Sequence, residues 1–315
     1  MIYFGLFILS TILTYGIRAY ANKKAIFDIP NERSAHLIPT PKGGGLAIVI
    51  VFYIGLFYFK NSIDSGLANA LLCAIPVALI SFIDDIITIS SKIRFLVQGA
   101  SAIVALYFLG GVTSVDLIFL TLNGWWLNIL AFLFVVWLTN LYNFLDGIDG
   151  YAGSEAVIVG LGLFFFFGNP MGLVVAISSL GFLIFNWDKA SIFMGDIGSA
   201  TLGFIFAIFA LSDTSHGTIY VWLVLLSLFW FDATLTLIRR YKNNESITQA
   251  HNKHAYQRLV QSGWSHSRVV LSSIAFNLLF FALLYFIENL LIVFMLNLIS
   301  LYVIIKFIDN KKSFI

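Results

Sequence analysis

Eleven apolar runs of membrane length follow one another along this chain, and they leave no stretch in which a separate soluble domain can fold. They lie at about 2–19, 43–59, 67–83, 94–110, 125–144, 151–168, 170–186, 197–212, 218–238, 268–287 and 290–308. Inside hydrocarbon a backbone must satisfy its own polar groups, and runs this long do so as helices. Charged residues make up only 11% of the chain, against about 25% in an ordinary soluble domain. The prediction is an all-α, polytopic membrane protein with about 11 transmembrane helices, forming a single domain over 1–315. Gly168-Asn169-Pro170 and the residues around 288–290 read as tight turns between runs. The amphipathic stretch Val115–Leu122 reads as an interfacial piece, not a twelfth span.

Basic residues set the orientation. None precedes residue 18, and Arg18, Lys23 and Lys24 follow the first run. Ala19-Tyr20-Ala21 imitates a cleavage site, but without a basic leading region the run is expected to stay as an anchor with the N-terminus outside. Eleven passes then bring the C-terminus to the cytosol. Arg33, Lys42, Lys92, Arg94, Lys189, Arg239, Arg240, Lys242, Lys253, Arg258, Arg268 and Lys306 all fall at inner loops or inner helix ends, and only Lys60 falls outside. The net charge of +2 gives no ground for a nucleic-acid partner. The lone cysteine, Cys73, excludes an intrachain disulfide and reads as a small core residue.

The same bookkeeping gathers the unusual polar groups on the inner side. The densest is Asn140-Leu-Tyr-Asn143-Phe-Leu-Asp146-Gly147-Ile-Asp149-Gly150, emerging from the apolar run that begins at Trp125. Amides and carboxylates beside apolar sequence are costly unless they are satisfied. With no Lys or Arg among them, they suit a metal-bound or hydroxyl-rich ligand better than a bare anion. Asp84-Asp85 ends the third run, where adjacent side chains point about 100° apart and resist joint ionisation without a cation. Such a pair can also be an interfacial one balanced by Lys92 and Arg94. Asp196, between Gly195 and Gly198 at the start of the eighth run, is either a helix cap or a ligand to Mg²⁺; its oxygen-rich company favours the ion.

Two inner loops complete the set. The first, Asp28 to Gly45, carries Asn31-Glu-Arg33-Ser34, three prolines and the run Lys42-Gly43-Gly44-Gly45, whose amides at a helix start can hold phosphate. A stiff connector is the alternative. In the fifth loop, His251 and His254 share a helical face, with Arg258 one turn on, and together they offer donors to a diphosphate or a sugar. Asp232 and Glu155, inside helices, are taken as structural.

On Pro41-Lys-Gly-Gly-Gly-Leu-Ala-Ile48, Asp84-Asp85, Asn140–Gly150 and Phe193–Ser199, the chain resembles the polyprenyl-phosphate N-acetylhexosamine-1-phosphate transferases. That family includes phospho-MurNAc-pentapeptide transferase and UDP-GlcNAc:undecaprenyl-phosphate GlcNAc-1-phosphate transferases. The resemblance implies transfer of an N-acetylhexosamine 1-phosphate from a UDP-sugar to undecaprenyl phosphate in the bacterial inner (plasma) membrane. It implies Mg²⁺, or Mn²⁺ in its place. It assigns Asp84 and Asp85 to catalysis and Asp196 to the metal, and the reading of the acidic cluster adds Asp149 to the catalytic set. The resemblance assigns Asn143, Asp146, Asn186, Phe193, His251 and His254 to substrate binding, and the reading of the residues themselves adds Lys42, Asn140 and Arg258. Lys253 replaces the third position of the family's His-x-His-His motif, which argues against the peptidoglycan enzyme. The Asn-Glu-Arg-Ser and His-Ala-Tyr-Gln-Arg segments look like the O-antigen or capsule-initiating branch. Expected partners are the UDP-sugar, undecaprenyl phosphate and the bilayer, with a homodimer allowed. The rival readings are a secondary transporter, whose acids would lie near the midplane at an internal repeat, and a lipid-pyrophosphate hydrolase.

Overall fold

Every apolar run becomes a helix or a consecutive helix pair in the computed structural model, which describes residues 1–30, 35–246, 249 and 251–314. The helices are α1 (Ile2–Lys24), α2 (Gly45–Phe59), α3 (Ser65–Leu72), α4 (Ala74–Ile86), α5 (Ser91–Phe108), α6 (Leu127–Phe144) and α7 (Tyr151–Phe167). They continue with α8 (Pro170–Asn186), α9 (Asp196–Ser212), α10 (Thr218–Leu225), α11 (Ser227–Lys242), α12 (Ala255–Gln261), α13 (His266–Phe286) and α14 (Leu290–Lys311). Pro76 separates α3 from α4, because its ring crowds the carbonyl four residues back and it has no N–H to give. The turn between α7 and α8 follows its composition. Gly168 takes a left-handed φ of 64°, Asn169 caps the amide of Met171, and Pro170 opens α8.

By length and apolarity, five segments can cross a membrane: α1, α3 with α4, α6, α13 and α14. A sixth is α10 with α11, if that pair, bent by 74°, counts as one. The helices α2, α7, α8 and α9, of 15 to 17 residues, reach only about 23–26 Å at 1.5 Å per residue. Of these four, α9 has its shortness matched by its place in the bundle. α9 is buried on every face from Ile197 to Ala210, packed against α2, α3, α4 and α6. A helix apolar all round belongs inside. The outer helices instead turn Phe4, Ile12, Leu96, Tyr107, Leu278 and Tyr285 outward, an apolar surface suited to lipid.

Two small departures from an all-helical chain appear. Val115–Leu122 lies in a two-stranded antiparallel hairpin, Ser114–Asp116 with Thr121–Asn123, in which Val115 pairs with Leu122. A period of two puts both side chains on one face, against Leu106, Val112, Leu127 and Ala131. The second hairpin pairs Phe27 with Pro41 in the first inner loop. Buried polar ties cross the bundle: Ser10 Oγ donates to the Ser178 carbonyl at 2.6 Å, and Asn277 Nδ2 donates to Glu155 Oε2 at 2.6 Å.

Successive segments meet at one end of the bundle by alternate termini. The C-terminal end of α1, the N-terminus of α2, the C-terminus of α4 and the N-terminus of α5 come together there. The C-terminus of α6, the N-terminus of α7, the C-terminus of α8 and the N-terminus of α9 follow. The C-terminal ends of α11 and α14 and the N-terminus of α13 complete the same end.

Candidate active site

α9 begins where two glycine segments press together. Gly45 N donates to the Met194 carbonyl at 2.8 Å, and Gly44 N to the Phe193 carbonyl at 2.9 Å. A Cβ on Gly45 would run into the backbone of Gly198, and one on Gly198 into Gly45 and Met194. The glycines of the first inner loop therefore serve close approach of α2 to the start of α9. The amides of Gly44 and Gly45, read from sequence as a phosphate cradle, are already spent on these carbonyls. Asn31, Glu32, Arg33 and Ser34 of the same loop lie outside the described residues.

Asp85, at the end of α4, reaches this junction. Its carboxylate accepts the backbone N–H of Asp196 at 3.2 Å and of Ile197 at 3.1 Å, and so caps α9 from another helix. Gly195, at φ 76°, leaves it the room, since a Cβ there would meet Asp85 Oδ2 at 2.6 Å. Lys42 Nζ stands 3.9 Å from Asp85 Oδ1. Asp84 points elsewhere, as the angular spacing of neighbours requires. It accepts the Ile89 amide and Arg94 Nη1, each at 2.6 Å. The same Nη1 lies 2.7 Å from Asp196 Oδ2, and Asn143 Nδ2 donates to Asp196 Oδ1 and to Ser199 Oγ, both at 2.9 Å.

A cleft of about 380 Å³ opens over this array. Asp85, Asn143, Asp146, Asp149, Asn186, Phe193, Asp196, Lys42 and His251 line it, so most of the residues picked from sequence converge there. Asn186 holds the walls in register, accepting the Gly150 amide at 3.0 Å and donating to the Ile192 carbonyl at 2.9 Å. Asp149 Oδ2 accepts the Ala190 amide at 3.2 Å and lies 3.2 Å from His266 Nδ1. Burial, with the neighbouring carboxylates of Asp196, Asp85, Asp149 and Asp28, pushes the Asp146 carboxyl up to about 8.

Three expected residues sit behind the cleft. Asn140 Nδ2 donates to Gln98 Oε1 and to the Val136 carbonyl, each at 2.7 Å, and so ties α6 to α5. His254 is buried with Nδ1 3.6 Å from Asp232 Oδ1. Arg258, 3% exposed, donates to Asp309 at 2.7 Å and to the Lys312 carbonyl at 3.0 Å. Donor contact, expected of these residues, does not follow from these positions. His254 and Arg258 anchor the loop that delivers His251. Burial, then the adjacent His254 and Arg240, lowers the His251 imidazole to about 4, so it is neutral at pH 7. Asp232 accepts the Ala255 amide at 2.8 and 2.9 Å, and Asp309 also takes a bidentate bond from Arg239, both at 2.9 Å. Phe314 lies under Arg239, Lys253 and Arg258, with centroid distances of 5.3 to 5.4 Å.

The structure adds Asp28, His36, Gln257 and His266 to the cleft wall and places Arg94 between two of its acids. His266 was within reach of sequence reasoning, because charge placement puts it in the same inner loop as His251, one residue past the Ser265 cap. Arg94 had entered only as a balancing charge.

The electrostatics are lopsided. Among the described lining residues, five are aspartates and one, Lys42, is a lysine. A cleft of this sign repels a phosphate unless a cation accompanies it. Among the described residues no group of three or more His, Cys, Asp or Glu forms a metal cage. Asp84 and Asp196 nevertheless bring two carboxylates to a single cationic point at Arg94 Nη1, and hard oxygen donors in that number fit an ion completed by water and phosphate.

Known proteins are similar to this chain in sequence. A family model described as glycosyl transferase family 4 matches residues 67–213. A protein of Bacillus subtilis (strain 168), named as a probable undecaprenyl-phosphate N-acetylglucosaminyl 1-phosphate transferase, is 31% identical over 275 residues, covering 82% of this chain and 76% of its own. A decaprenyl-phosphate N-acetylglucosaminephosphotransferase of Mycobacterium leprae is 29% identical over 299 residues, covering 80% and 74%. The undecaprenyl-phosphate alpha-N-acetylglucosaminyl 1-phosphate transferase of Escherichia coli K12 is 26% identical over 303 residues, covering 87% and 80%. The family match contains Asp84, Asp85, Asn143, Asp149 and Asp196, so it falls on the cleft itself, and the chain belongs to glycosyl transferase family 4.

Proposed function

We propose that the chain transfers an N-acetylhexosamine 1-phosphate from a UDP-sugar to undecaprenyl phosphate and releases UMP. UDP-N-acetylglucosamine is the first donor to test, because the relatives in Bacillus, Mycobacterium and Escherichia are named for that sugar. The observation that carries the reading is the carboxylate-rich cleft, built where alternate helix termini of one bundle converge. An anionic cleft of this kind suits a diphosphate brought in with a divalent ion, and its place at the helix ends suits a lipid head group. A transporter site would sit near the middle of the helices. In this reading all eleven apolar segments cross the bacterial plasma membrane with the cleft on the cytosolic side. The alternating termini and the placement of basic residues both support it.

Asp196 and Asp84 are the residues that would hold Mg²⁺. When bound, the ion supplies the positive charge that offsets repulsion between the donor diphosphate and the lipid phosphate. Asp85 fixes the start of α9 and thereby aims Asp196. Lys42, beside Asp85, faces a phosphate oxygen. Asn143 orients Asp196 from the other side. Asp149 and His266, paired at 3.2 Å on the cleft wall, hold the proton of the incoming lipid phosphate. An oxygen of that phosphate bonds to the β-phosphorus of the donor. The bond from the β-phosphorus to the bridging oxygen breaks, and UMP leaves with the electron pair. One phosphoanhydride replaces another, so no ATP is needed.

The test is purified protein with Mg²⁺, undecaprenyl phosphate and UDP-N-acetylglucosamine labelled in its β-phosphate. The label is expected in the lipid fraction with UMP as the nucleotide product, and added UMP is expected to drive the label back. UDP as product would refute the reading. Label recovered as water-soluble phosphate would point to hydrolysis.

A further inference from the structure

Arg94 lies in the first turn of α5 and reaches across to two acids from different helices. A single nitrogen, Nη1, stands 2.6 Å from Asp84 Oδ2 and 2.7 Å from Asp196 Oδ2. Both acids are held from behind, Asp84 by the Ile89 amide and Asp196 by Asn143. Two carboxylates this close favour a positive group between them, or else one of them holds a proton. The guanidinium sits there, at the point where the two carboxylates would also meet an ion. Arginine and ion cannot share that point.

The side chain has somewhere to go. Arg94 is 32% exposed, in contrast to Arg240 and Arg258 at 3%, which are locked into the loop below the cleft. A guanidinium presents a planar fork of donors that matches phosphate oxygens. The cleft beside it offers a phosphate little other than Lys42 by way of positive charge.

We propose that Arg94 is the resident counter-ion of the Asp84–Asp196 pair, displaced by the divalent ion and then turned to a substrate phosphate. The inference rests on the proposed function, since it takes Asp196 and Asp84 as the ion's holders. Two consequences follow. The ion binds weakly to the chain alone, because it must break two charge-assisted bonds. It binds more tightly with the nucleotide-sugar, which gives the released guanidinium a new partner. Metal and donor therefore bind cooperatively, each raising the affinity of the other by the same factor.

The experiment measures Mn²⁺ binding to the full chain in lipid nanodiscs by electron paramagnetic resonance, without substrates. Arg94→Met is expected to bind Mn²⁺ about tenfold more tightly than wild type, the scale of two partly exposed ion pairs, and Arg94→Lys to stay near wild type. On the wild-type chain, Mn²⁺ is expected to raise the reaction of Arg94 with phenylglyoxal several-fold, read by peptide mass. That second measurement decides the matter if Arg94→Met does not fold. Unchanged or weaker Mn²⁺ binding by folded Arg94→Met overturns the proposal, as does Arg94 reactivity that Mn²⁺ leaves level or lowers. Neither readout needs turnover. A wild-type chain that releases UMP while failing them leaves the proposed transfer standing and removes only this role for Arg94.

Discussion

Asp85 caps the helix that Asp196 begins: one carboxylate, at the end of α4, accepts the N–H groups of Asp196 and Ile197 at 3.2 and 3.1 Å. The bond joins two sequence motifs more than a hundred residues apart, and it aligns negative charge with the positive end of α9. Asp85→Asn keeps the shape and removes the charge. It is expected to cost about 1.5–3 kcal/mol, the range for a hydrogen bond to a charged group, since one of the two accepting oxygens and the charge are lost, and to lower UMP release because Asp196 is less firmly aimed. Thermal unfolding in detergent, run beside the UMP assay, separates the two effects. Abolished turnover with an unmoved Tm would instead give Asp85 a direct part in the chemistry.

A Cβ on Gly45 would run into Gly198 Cα, so a side chain at either position must part α2 from α9. Gly45→Ala is expected to destabilise by about 1–3 kcal/mol, the usual range for overpacking. Gly5→Ala is the control, since a Cβ at Gly5 meets nothing within 4 Å on the outer face of α1. The control is expected to be neutral, or stabilising by a few tenths of a kcal/mol, through better helix propensity. Equal Tm values for the two variants would remove the packing role assigned to Gly45.

Sustained hydrophobicity was enough to find the helices of the eleven runs, because burial in lipid or in the bundle asks for little else; the short α12 lies outside those runs. Hydrophobicity could not say that α9 lies inside while α1 and α14 lie outside, since Phe204 and Phe4 are equally apolar. The polar motifs were legible for a related reason: Asp85, Asn143 and Asp196 stand out where carboxylates are rare. Their partners were not. Arg94 and His266 gain meaning from helices that meet them in space, and no local pattern marks that meeting. Val115–Leu122 is no further span, as its amphipathic pattern implied, but eight such residues fit a short strand pair as well as a helix turn, so the pattern did not say which. The three glycines after Lys42 invited a phosphate cradle. The nearby carbonyls of Phe193 and Met194, which occupy two of those amides, come from the far side of the sequence.

The titration of Asp146 gives a pH signature. Burial and the surrounding carboxylates hold its acid form up to about 8 in the folded chain, against an ordinary value near 4. A carboxyl raised in this way favours the folded state fully below pH 4. That contribution is lost as pH climbs towards 8, where the fold must accept a buried charge. Stability of the metal-free protein is therefore expected to fall from pH 5 to pH 9, and Asp146→Asn to flatten the decline. Addition of Mg²⁺ is expected to release protons between those limits, because a cation among the carboxylates favours their ionised forms. Calorimetry in two buffers of different ionisation enthalpy would detect the release. A pH-independent Tm in wild type would show that Asp146 is ionised throughout.

Topology is the remaining question that geometry makes sharp. From α1 to α14, successive apolar segments bring alternate termini to the cleft end of the bundle, which is the pattern of a chain passing back and forth. α2, α7, α8 and α9 are short for a hydrocarbon core about 30 Å thick; α9 is enclosed by its neighbours, whereas α2, α7 and α8 each turn side chains such as Phe57, Phe165 and Ile184 outward and meet the lipid by local thinning of the bilayer. Lys60 follows the end of α2 far from the cleft, exposed, with its Nζ over the Phe57 ring at 4.6 Å. Lys92 opens α5 at the cleft end and is also exposed. With Cys73 replaced by serine, single cysteines at 60 and 92 place the two ends of the bundle on the two sides of the membrane. A membrane-impermeant maleimide applied to intact cells is expected to modify position 60 and to reach position 92 only after the membrane is opened. Labelling of 92 and not 60 in intact cells would invert the orientation and put the cleft outside, away from any cytosolic nucleotide-sugar. Equal labelling of both would place the two ends on one side and break the alternation of passes on which the eleven-span reading depends.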